Sequence, residues 1–586
     1  MEEWIEYRKS ADFQAIAEKY HIDRVTARII RNRNIVEDEQ IRRFLQGDLS
    51  DLYDPHLLKD ADLLCDILLS KIQSGQKIRV IGDYDIDGVM SSYLLVTALE
   101  RLGADVSVQI PHRMLDGYGL NASIIENAKD DGIDTILTCD NGIAAISEIA
   151  LAKSYGMTVL VTDHHEIPYE EAEGKKRFLR SEADAIVNPH QEECGYPFKE
   201  LCGAAVAWKV ICIAYEKCGI AFEEACKFLE NVAFATVGDI MSLTDENRIL
   251  VKEGLKRMHV TENIGMKALI SQCNLEARNV GTYHLGFVLG PCINASGRLD
   301  TAKRSLELFR TEDSVNAVRI AGELVTLNTE RKDLTAKGVE EAVQMYEKMG
   351  YDKDFVLVIY LPDMHESIAG IVAGRIKELY HKPTFILTKG EDCVKGSGRS
   401  IEAYSMWEEM TKCRDLFLKY GGHPMAAGLS LPEENVDEFR RRMNENCTLD
   451  ENDLNKKVYL DAAMPLEYVS PELVKQLECL APFGRDNLRP VFATRNIRIG
   501  RMWRIGKKMN VLRLDLITET GKHAAGIYFG DIDGMLAYLR DKYSDTEVER
   551  ALHGQENRME LSVVYVPTIN SYKDTETLQF EIQYYK

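Results

Sequence analysis

Short apolar runs alternate with helical patterns between residues 78 and 188. The runs are rich in β-branched residues, which is typical of strands buried on both faces. The stretches between them repeat apolar residues at helical spacing over roughly ten to fifteen positions, and strands that alternate with such helices form βαβ units. The pattern therefore predicts a parallel sheet with helices packed on it. The apolar runs are IRVI, DVSVQI, DTILTC, TVLVT and AIVN.

A second α/β pattern follows a charge-rich, proline-free stretch from 315 to 350. As one mostly continuous amphipathic helix, this stretch would span roughly 50 Å, enough to connect two domains. After it come the apolar runs DFVLVIY and PTFILT, separated by a helical pattern from Ile368 to Tyr380. Two glycine-rich segments, KGSGRS and GGHPMAAGLS, are predicted to be loops.

Beyond residue 455 the chain becomes β-rich, and its short strands with polar turns favour a small barrel or sandwich. The first 60 residues look helical. The sequence therefore predicts an α/β protein in which a parallel-sheet domain is joined by a long helix to a second α/β domain and then to a β-rich domain. The expected divisions are 1–60 (N-terminal helical segment), 61–262 (parallel-sheet domain), 263–350 (connecting helices), 351–450 (second α/β domain) and 455–586 (β-rich domain).

Composition excludes several classes of protein. The 586 residues carry a net charge of −22, so a polyanion can bind only where positive charge is concentrated locally. No apolar run approaches the roughly 18 residues of a membrane span, and the polar start MEEWIEYRKS is not a secretory signal. The 13 cysteines include no CxxC pair and are expected to be reduced core residues. We therefore expect a cytoplasmic protein that does not contact membranes.

Three predicted strands end in acidic residues. IRVI leads to Asp83, Asp85 and Asp87, DTILTC leads to Asp140, and TVLVT leads to Asp163, which His164 and His165 follow. In an open parallel sheet the functional crevice lies outside the carboxyl ends of the strands, so these side chains are expected to converge. One aspartate after a strand is more often a helix cap or a turn residue, but three such coincidences in one sheet favour a shared site.

Converging carboxylates repel each other and raise each other's pKa unless a cation lies between them. Several carboxylate oxygens with one or two imidazoles suit Mn²⁺ or Mg²⁺, and two such ions can clamp the attacking and leaving oxygens of a displacement at phosphorus. The two histidines could instead cap the strand end by bonding to backbone. Because the two histidines lie beside three acidic strand ends, metal binding is favoured over capping. A metal site of this composition indicates phosphoester hydrolysis.

Eight motifs resemble a known family. The first four match, in order and approximate spacing, those of the DHH phosphoesterases, and the others resemble motifs of the RecJ-type branch of that family. Members of this branch are single-strand-specific 5′→3′ exonucleases of bacterial DNA repair, with DHH, DHHA1 and OB-like domains in that order. The motifs are DYDID (83–87), CDNG (139–142), DHH (163–165), VGD (237–239), GPCINASGR (290–298), HESIAGIVAGR (365–375), GSGRS (396–400) and GGHPMAAG (421–428).

The resemblance implies roles for particular residues. It places Asp83 and His165 in or beside the coordination shell and His423 near the scissile phosphate, as catalytic residues. Many shorter family members carry a histidine at the position of Ile81, so its replacement here favours the RecJ-type branch. The metal ligands implied for two Mn²⁺ or Mg²⁺ ions are Asp85, Asp87, Asp140, Asp163, His164 and Asp239. The residues implied to bind the 5′-phosphate of the strand are Arg113, Arg298, Ser397 and Arg399.

Residues 485–513 carry nine Arg or Lys against one Asp, with Phe492 and Trp503 interleaved. Charge runs are usually solvated faces, but basic strands with stacking aromatics fit an OB-like surface that binds single-stranded nucleic acid. The residues expected to form this surface are Arg498, Arg501, Trp503, Arg504, Lys507 and Lys508.

The function that these observations favour is a single-stranded-DNA-specific 5′→3′ exonuclease that releases 5′-mononucleotides in DNA repair and recombination. Two alternatives remain open: a phosphodiesterase for oligoribonucleotides or cyclic dinucleotides, and a non-catalytic replication scaffold. Single-stranded DNA is the expected partner, and a RecQ-type helicase and a single-strand-binding protein are candidate partners of a monomeric enzyme.

Overall fold

The protein is described by a computed structural model over residues 2–112, 119–172, 175–572 and 575–586. The chain forms two compact units. The larger unit comprises residues 49–242 and 246–456, and the smaller unit comprises residues 1–48, 243–245 and 457–586. All 13 cysteines are free thiols, as predicted. Within the described ranges, no helix is long and apolar enough to cross a membrane.

The larger unit contains the predicted parallel sheet, whose five strands all run in the same direction. Alternate side chains enter two apolar cores: Val80, Leu137 and Leu160 face one, whereas Ile136 and Val159 face the other. Burial on both faces explains why these strands are continuous apolar runs in the sequence. In spatial order the strands are Asp105–Gln109, Lys77–Ile81, Thr135–Cys139, Thr158–Thr162 and Ala185–Val187. The second, third and fourth of these are here called the three central strands.

Helices cover this sheet and continue into an all-helical region. A two-stranded hairpin, Tyr169–Ala172 with Lys175–Phe178, follows the strand Thr158–Thr162. The main helices are Ala61–Gln73, Ile86–Arg101, Ala122–Asp130, Ile146–Ser154, Gly203–Lys217, Phe222–Cys226, Leu229–Gly238, Asp245–Met258, Ile264–Gln272, Thr282–His284, Gly290–Leu299 and Lys303–Arg310, with a π-helical turn at Leu285–Leu289.

The predicted long helix is continuous over Ser314–Met349, which is 36 residues. At 1.5 Å per residue it is about 54 Å long. The Asp313 side chain accepts a hydrogen bond from the amide of Val315 at its start, and Gly350 ends it in the left-handed conformation. Both ends therefore carry the capping chemistry of an autonomous helix.

The second α/β sheet of the larger unit is mixed. Only Leu357–Tyr360 and Thr384–Lys389 are parallel, and the remaining pairings are antiparallel. The prediction of two glycine-rich loops was wrong, because both segments are paired strands. Several of their glycines are needed for packing: a Cβ at Gly396 would lie 2.3 Å from a methyl carbon of Leu387, although Gly421 and Gly428 have open space around them. In spatial order the strands are Lys419–His423, Ala426–Leu431, Val394–Arg399, Thr384–Lys389 and Leu357–Tyr360, and the helices are Ala369–Tyr380, Met406–Thr411 and Val436–Glu445.

The smaller unit is a β-barrel with helical additions. Strand Phe492–Ile505 pairs with Val511–Ile517 on one side and with Glu560–Tyr572 on the other, which closes the sheet. Closure removes unpaired strand edges and gives the OB-like fold predicted for this region. The remaining strands and helices of the barrel region are Lys456–Leu460, Ala462–Ala463, His523–Tyr528, Thr575–Tyr585, Pro471–Leu477, Ile532–Lys542 and Asp545–Leu552.

Residues 1–48 of the predicted N-terminal segment belong to this smaller unit, whereas residues 49–60 belong to the larger unit. A strand, Glu2–Glu6, pairs with Lys456–Leu460 and was not predicted, since the segment looked wholly helical. Ile29 and Ile30 are buried in the same apolar core as the barrel residues. The helices of the segment are Phe13–Tyr20, Arg24–Asn32 and Asp38–Gln46.

Candidate active site

Acidic residues lie along one edge of the parallel sheet, where the three central strands end. These strands are direct neighbours and run parallel, so their carboxyl ends meet at one edge. Asp83, Asp140 and Asp163 each follow one of the three strands within two residues, and all three are buried. The predicted convergence of the acidic strand ends is confirmed.

The side chains at this edge form three groups of potential metal ligands. Within each group, the ligand atoms all lie within 4.8 Å of one another. Asp140 belongs to two groups and His164 also belongs to two, so the three groups are linked into one cluster. The groups are Asp140 with His164 and His165, Asp87 with His164 and Asp239, and Asp83 with Asp85 and Asp140.

His164 lies at the centre of this cluster. Its Nε2 atom is 3.1 Å from Oδ1 of Asp140, 3.6 Å from Oδ2 of Asp87 and 3.7 Å from Oδ2 of Asp239. Burial lowers the pKa of His164, which favours the neutral imidazole that metal ions require. One ring nitrogen thus shares its surroundings with carboxylates from three separate segments of the chain.

The helix Gly203–Lys217 holds Asp87 in place. The amide of Gly203 donates to Oδ2 of Asp87 at 2.6 Å, and the amide of Ala204 donates to Oδ1 at 2.8 Å. A helix N-terminus offers unpaired amides to an acceptor, so the start of this helix fixes the orientation of the Asp87 side chain. A Cβ at Gly203 would lie 2.7 Å from the Cβ of Asp140. Glycine is therefore required at this position for the two aspartates to approach the same helix end.

Asp163 has a different environment from the other aspartates. Its Oδ1 accepts hydrogen bonds from the amide of His164 and the ring of His165, both at 2.7 Å, and its Oδ2 accepts one from the amide of Ile143 at 2.9 Å. Burial is the largest influence and raises the pKa of Asp163, but the hydrogen bond from His165, the charges of His165 and His164 and the amide of Ile143 together outweigh it, so the pKa is lowered. Among the described residues Asp163 is in none of the three groups. Its assignment as a ligand stays a prediction, and its observed contacts position the two histidines.

Burial and neighbouring negative charges disfavour the ionised forms of Asp83 and Asp140. Burial raises the pKa of Asp83, and the nearby charge of Asp85 raises it further. Burial also raises the pKa of Asp140, with Asp87 the next largest cause. Oδ1 of Asp83 is buried and has no hydrogen-bond partner among the described residues. A bound cation would satisfy this oxygen and offset the mutual repulsion, and the oxygen-rich ligand set with imidazoles fits Mn²⁺ or Mg²⁺.

Two residues illustrate what the sequence pattern could and could not find. Asp239 follows the helix Leu229–Gly238 rather than a strand, so only the motif resemblance identified it. The structure places it within reach of His164. Ile81 is fully buried in an apolar core, so it offers no ligand to the cluster.

The helix Gly290–Leu299 packs directly on the loop that carries Asp83 and Asp85. Oδ1 of Asn294 accepts a hydrogen bond from the amide of Ile86 at 2.8 Å. A Cβ at Gly297 would lie 2.3 Å from the carbonyl oxygen of Tyr84, so only glycine permits this contact. The fifth motif, residues 290–298, therefore packs against the backbone of the acidic loop and constrains it.

Three of the four predicted phosphate-binding residues lie around the start of the helix Ala369–Tyr380. Nη1 of Arg298 donates to the carbonyl oxygen of Ser367 at 2.8 Å. A Cβ at Gly370 would lie 2.8 Å from Nη2 of Arg399 and 2.9 Å from Oγ of Ser397, so both side chains lie against this glycine. Arg113, the fourth, lies outside the described residues.

His423 ends the strand Lys419–His423 and is exposed. Its register partner is Ala426, which is also the register partner of Arg399 on the opposite side. Residues aligned in this way share one face of a sheet, and two strand spacings place His423 about 10 Å from Arg399. The structure thus brings His423 and Arg399 to the same face.

The barrel carries a group of basic and aromatic side chains in which Arg501 is exposed and Trp503 and Arg513 are half-buried. The Arg501 guanidinium lies 5.2 Å from the ring centroid of Trp503, and the Arg513 guanidinium lies 5.5 Å from it on the neighbouring strand. These residues line a cavity of about 380 Å³. Arg513 was not among the predicted site residues, although strand pairing opposite Trp503 makes it a neighbour. Arg498, Lys507 and Lys508 of the predicted surface are also exposed, as are Arg485, Arg489 and Arg495 of the same segment.

Two aromatic or basic residues of this segment differ from expectation. Phe492 is fully buried in the barrel core, so it cannot stack on a nucleobase as expected. Arg504 forms an ion pair with Asp533, and strand alternation places it on the face opposite Trp503. The shared surface predicted for these positions therefore centres on Arg501 and Trp503.

Three family models match the chain in succession. They are the DHH family N-terminal domain over residues 77–236, the DHHA1 domain over 353–448 and the RecJ OB domain over 460–584. The single-stranded-DNA-specific exonuclease RecJ of Haemophilus influenzae is 30% identical over 576 residues, with 95% of each chain covered. The chain belongs to the RecJ family.

Further comparisons agree with this assignment. RecJ of Bacillus subtilis is 33% identical over 513 residues, a match that covers 87% of this chain and 63% of that protein. A crystal structure of RecJ from Thermus thermophilus with Mn²⁺ aligns with a TM-score of 0.81 at 24% identity, covers 100% of this chain and 79% of that one, and establishes the shared fold. A second crystal structure, of exonuclease RecJ bound to manganese, aligns at 30% identity and a TM-score of 0.58 and covers 68% and 96% of the two chains.

Proposed function

We propose that this RecJ family member is a metal-dependent exonuclease that degrades single-stranded DNA from its 5′ end to 5′-mononucleotides, in DNA repair and recombination. The observation that carries the proposal is the linked cluster of ligand groups at the ends of the three central strands. Such a cluster suits phosphodiester hydrolysis, and the basic, Trp503-bearing barrel face suits a polymeric substrate.

The cofactor is a pair of Mn²⁺ or Mg²⁺ ions. Two ions at this cluster would supply Lewis acidity to the scissile phosphate and to the attacking water. Asp140 and His164 each belong to two groups and are the residues suited to hold both ions. A relative of 30% identity, exonuclease RecJ, was crystallised bound to manganese, which supports this choice. The proposed ligands are Asp85, Asp87, Asp140, Asp163, His164 and Asp239.

The residues around the ligands hold charge and orientation. The hydrogen bond with Asp163 fixes the His165 ring. Burial lowers the pKa of His165, but this bond and the charges of Asp163, Asp239 and Asp87 together raise it to about 9. A protonated His165 would favour the negative charge that develops on a phosphate in the cluster. Asp83, with its unsatisfied buried oxygen, faces the same space.

A second group of residues selects the 5′ end of the strand. Arg298, Ser397 and Arg399 surround the start of one helix, where backbone amides and guanidinium forks suit phosphate oxygens. Arg113 completes this group in the proposal. His423, on the same sheet face as Arg399, is suited to contact the scissile phosphate.

The barrel face binds the strand farther from its 5′ end. Arg501 and Trp503 offer a guanidinium and a stacking ring, and Arg498, Lys507 and Lys508 add positive charge. The proposal further includes a cytoplasmic monomer that works with a RecQ-type helicase, which would expose single strands, and with a single-strand-binding protein.

The decisive experiment compares a 5′-phosphorylated DNA 30-mer with a dinucleotide, each labelled, in Mn²⁺. We expect 5′-mononucleotides to be released from the 30-mer in order from the 5′ end, and a blunt duplex of the same sequence to resist. Preference for the dinucleotide or for cyclic dinucleotides would indicate the small-substrate alternative. Absence of hydrolysis, together with retained Mn²⁺ binding, would overturn the proposal in favour of a scaffold.

A further inference from the structure

A groove lies between three helices of the larger unit. Its walls are the helical segment 282–299 and the helix Ala369–Tyr380, and its floor is the long helix Ser314–Met349. Its volume is about 920 Å³. The groove is a mixed surface of apolar and basic side chains, of which the most informative are Phe287, Pro291, Arg331, Lys332, Ile371 and Arg375.

An exposed aromatic pair lies at the mouth of this groove. Phe287 is 70% exposed and Tyr283 is 65% exposed, yet their rings stack on each other with centroids 5.4 Å apart. Large aromatic side chains are costly to leave in water, so a stacked pair at this exposure is suited to a planar ligand. Phe287 lies in the π-helical turn Leu285–Leu289, and such turns are frequent at functional sites.

The same helical segment runs along the back of the acidic cluster. A Cβ at Gly286 would lie 3.6 Å from Val237, two residues before Asp239, and one at Gly290 would lie 3.5 Å from Ile86. At its other end, Gly297 touches Tyr84, between Asp83 and Asp85. The segment therefore packs against residues that neighbour the aspartates of the acidic cluster in sequence.

Three features thus follow one another along the segment. Arg298, in the proposed phosphate-binding group, is at one end, the acidic cluster is alongside, and Phe287 is at the other end. Arg298 lies eleven positions after Phe287, a helical rise of about 16 Å, which is the length of about five stacked nucleotides and of fewer extended ones. A strand whose 5′-phosphate meets Arg298 and whose first phosphodiester meets the cluster would reach Phe287 within that distance.

We propose that Tyr283 and Phe287 form a stacking platform for nucleobases of the substrate strand just downstream of the scissile bond, and that the adjacent groove receives its backbone. This inference rests on the proposed function and extends it to residues outside the family motifs. Three cations line the groove, Arg331, Lys332 and Arg375, against two acidic residues, Glu340 and Glu378, in a chain of net charge −22. Positive charge beside stacking rings is the combination that binds single-stranded nucleic acid.

The test uses full-length protein and variants at position 287. Phe287→Ala and Phe287→Leu remove the aromatic face, and Phe287→Trp keeps it. Base stacking contributes enough affinity that its loss should raise KM for a 5′-phosphorylated 12-mer about tenfold relative to the change for a dinucleotide, which is too short to reach the platform. Phe287→Trp should retain the wild-type KM, and its fluorescence should be quenched by the 12-mer, with Ca²⁺ replacing Mn²⁺ to prevent hydrolysis.

The variants separate the competing explanations. If Phe287→Leu behaves like wild type, the patch contacts a ligand through apolar surface alone, and the stacking proposal is refuted. Equal losses on the 12-mer and the dinucleotide would also refute it, because they would indicate damage to the cluster. Inactivity of the wild-type protein on both substrates would instead refute the proposed function. Unchanged thermal unfolding of each variant checks that the exposed substitution leaves the fold intact.

Discussion

The two α/β sheets of the larger unit carry side chains of opposite charge near the ends of their strands. The parallel sheet gathers buried carboxylates at the ends of its strands and needs positive charge to compensate them. The mixed sheet instead presents Ser397 and Arg399 beside a helix N-terminus and suits negative charge. In the proposed function this difference divides the binding of one phosphodiester substrate, because one sheet would hold the metal ions and the other a phosphate.

The largest expected effect comes from the carboxylate shared by two ligand groups. Asp140→Ala should lower kcat by three or more orders of magnitude, because loss of metal-ion catalysis removes several kcal/mol of transition-state stabilisation. The variant should still bind a single-stranded 30-mer in a filter-binding assay. A matched control is Asp131→Ala, which removes an exposed carboxylate of the same unit. Substantial hydrolysis by Asp140→Ala would contradict the assigned role.

The second largest effect is expected from the loss of Arg399 in the mixed sheet. Arg399→Ala should reduce kcat/KM on a 5′-phosphorylated strand by about 10- to 100-fold, since a charge-assisted hydrogen bond contributes about 1.5–3 kcal/mol. A strand with a 5′-hydroxyl should lose much less. Arg278→Ala, which removes an exposed arginine that pairs with nearby Glu276, serves as the control. Equal losses on the two strands would argue against recognition of the terminal phosphate.

A smaller effect is expected at the barrel. The triple replacement of Arg501, Arg504 and Lys507 by Glu should weaken binding of long single strands steeply and affect dinucleotides little. Because Arg504 pairs with Asp533 on the opposite face, Arg504→Glu alone should contribute least. Each lost phosphate contact should reduce the slope of log affinity against log salt by about 0.7. Titrations at several salt concentrations would measure this, and an unchanged slope would exclude these residues from the path.

The smallest effect is expected at Gly370, whose backbone packs against the Arg399 side chain. In Gly370→Ala the new methyl would lie 2.8 Å from the Arg399 guanidinium, which can shift at modest cost. We expect KM for the 5′-phosphorylated strand to rise by a small factor, about two- to fivefold, which corresponds to under 1 kcal/mol. Gly374→Ala, with its nearest Arg399 atom at 3.9 Å, is the matched control. Identical kinetics for the two variants would show that the guanidinium position is not limiting.

The sequence revealed most of the fold because its periodicities match its elements. The five parallel strands and the long helix follow from apolar runs and amphipathic spacing alone. The acidic strand ends could also be predicted, since parallel topology brings them together. Motif resemblance was needed for Asp239, which follows a helix, and for Arg298 and Arg399, which would otherwise be ordinary surface arginines.

Other features depend on packing that periodicity does not encode. The KGSGRS segment looked like a loop because its glycines suggest turns, but they serve close contacts such as that between Gly396 and Leu387. The amides that bind Asp87 come from Gly203 and Ala204, more than a hundred residues away. No sequence motif singles out Tyr283 and Phe287, and it is their exposure in the structure that distinguishes them.

The 36-residue helix between the two sheets also limits how the chain can vary. Within a continuous helix, one inserted residue advances everything beyond it by 1.5 Å and turns it by about 100°. Substitutions along the solvent side of this helix leave that geometry intact. A change in its length would alter the position of Arg399 relative to the acidic cluster, and so the proposed contact of both with one strand of DNA. Relatives that share this chemistry should therefore preserve the residue count of this helix more strictly than its composition.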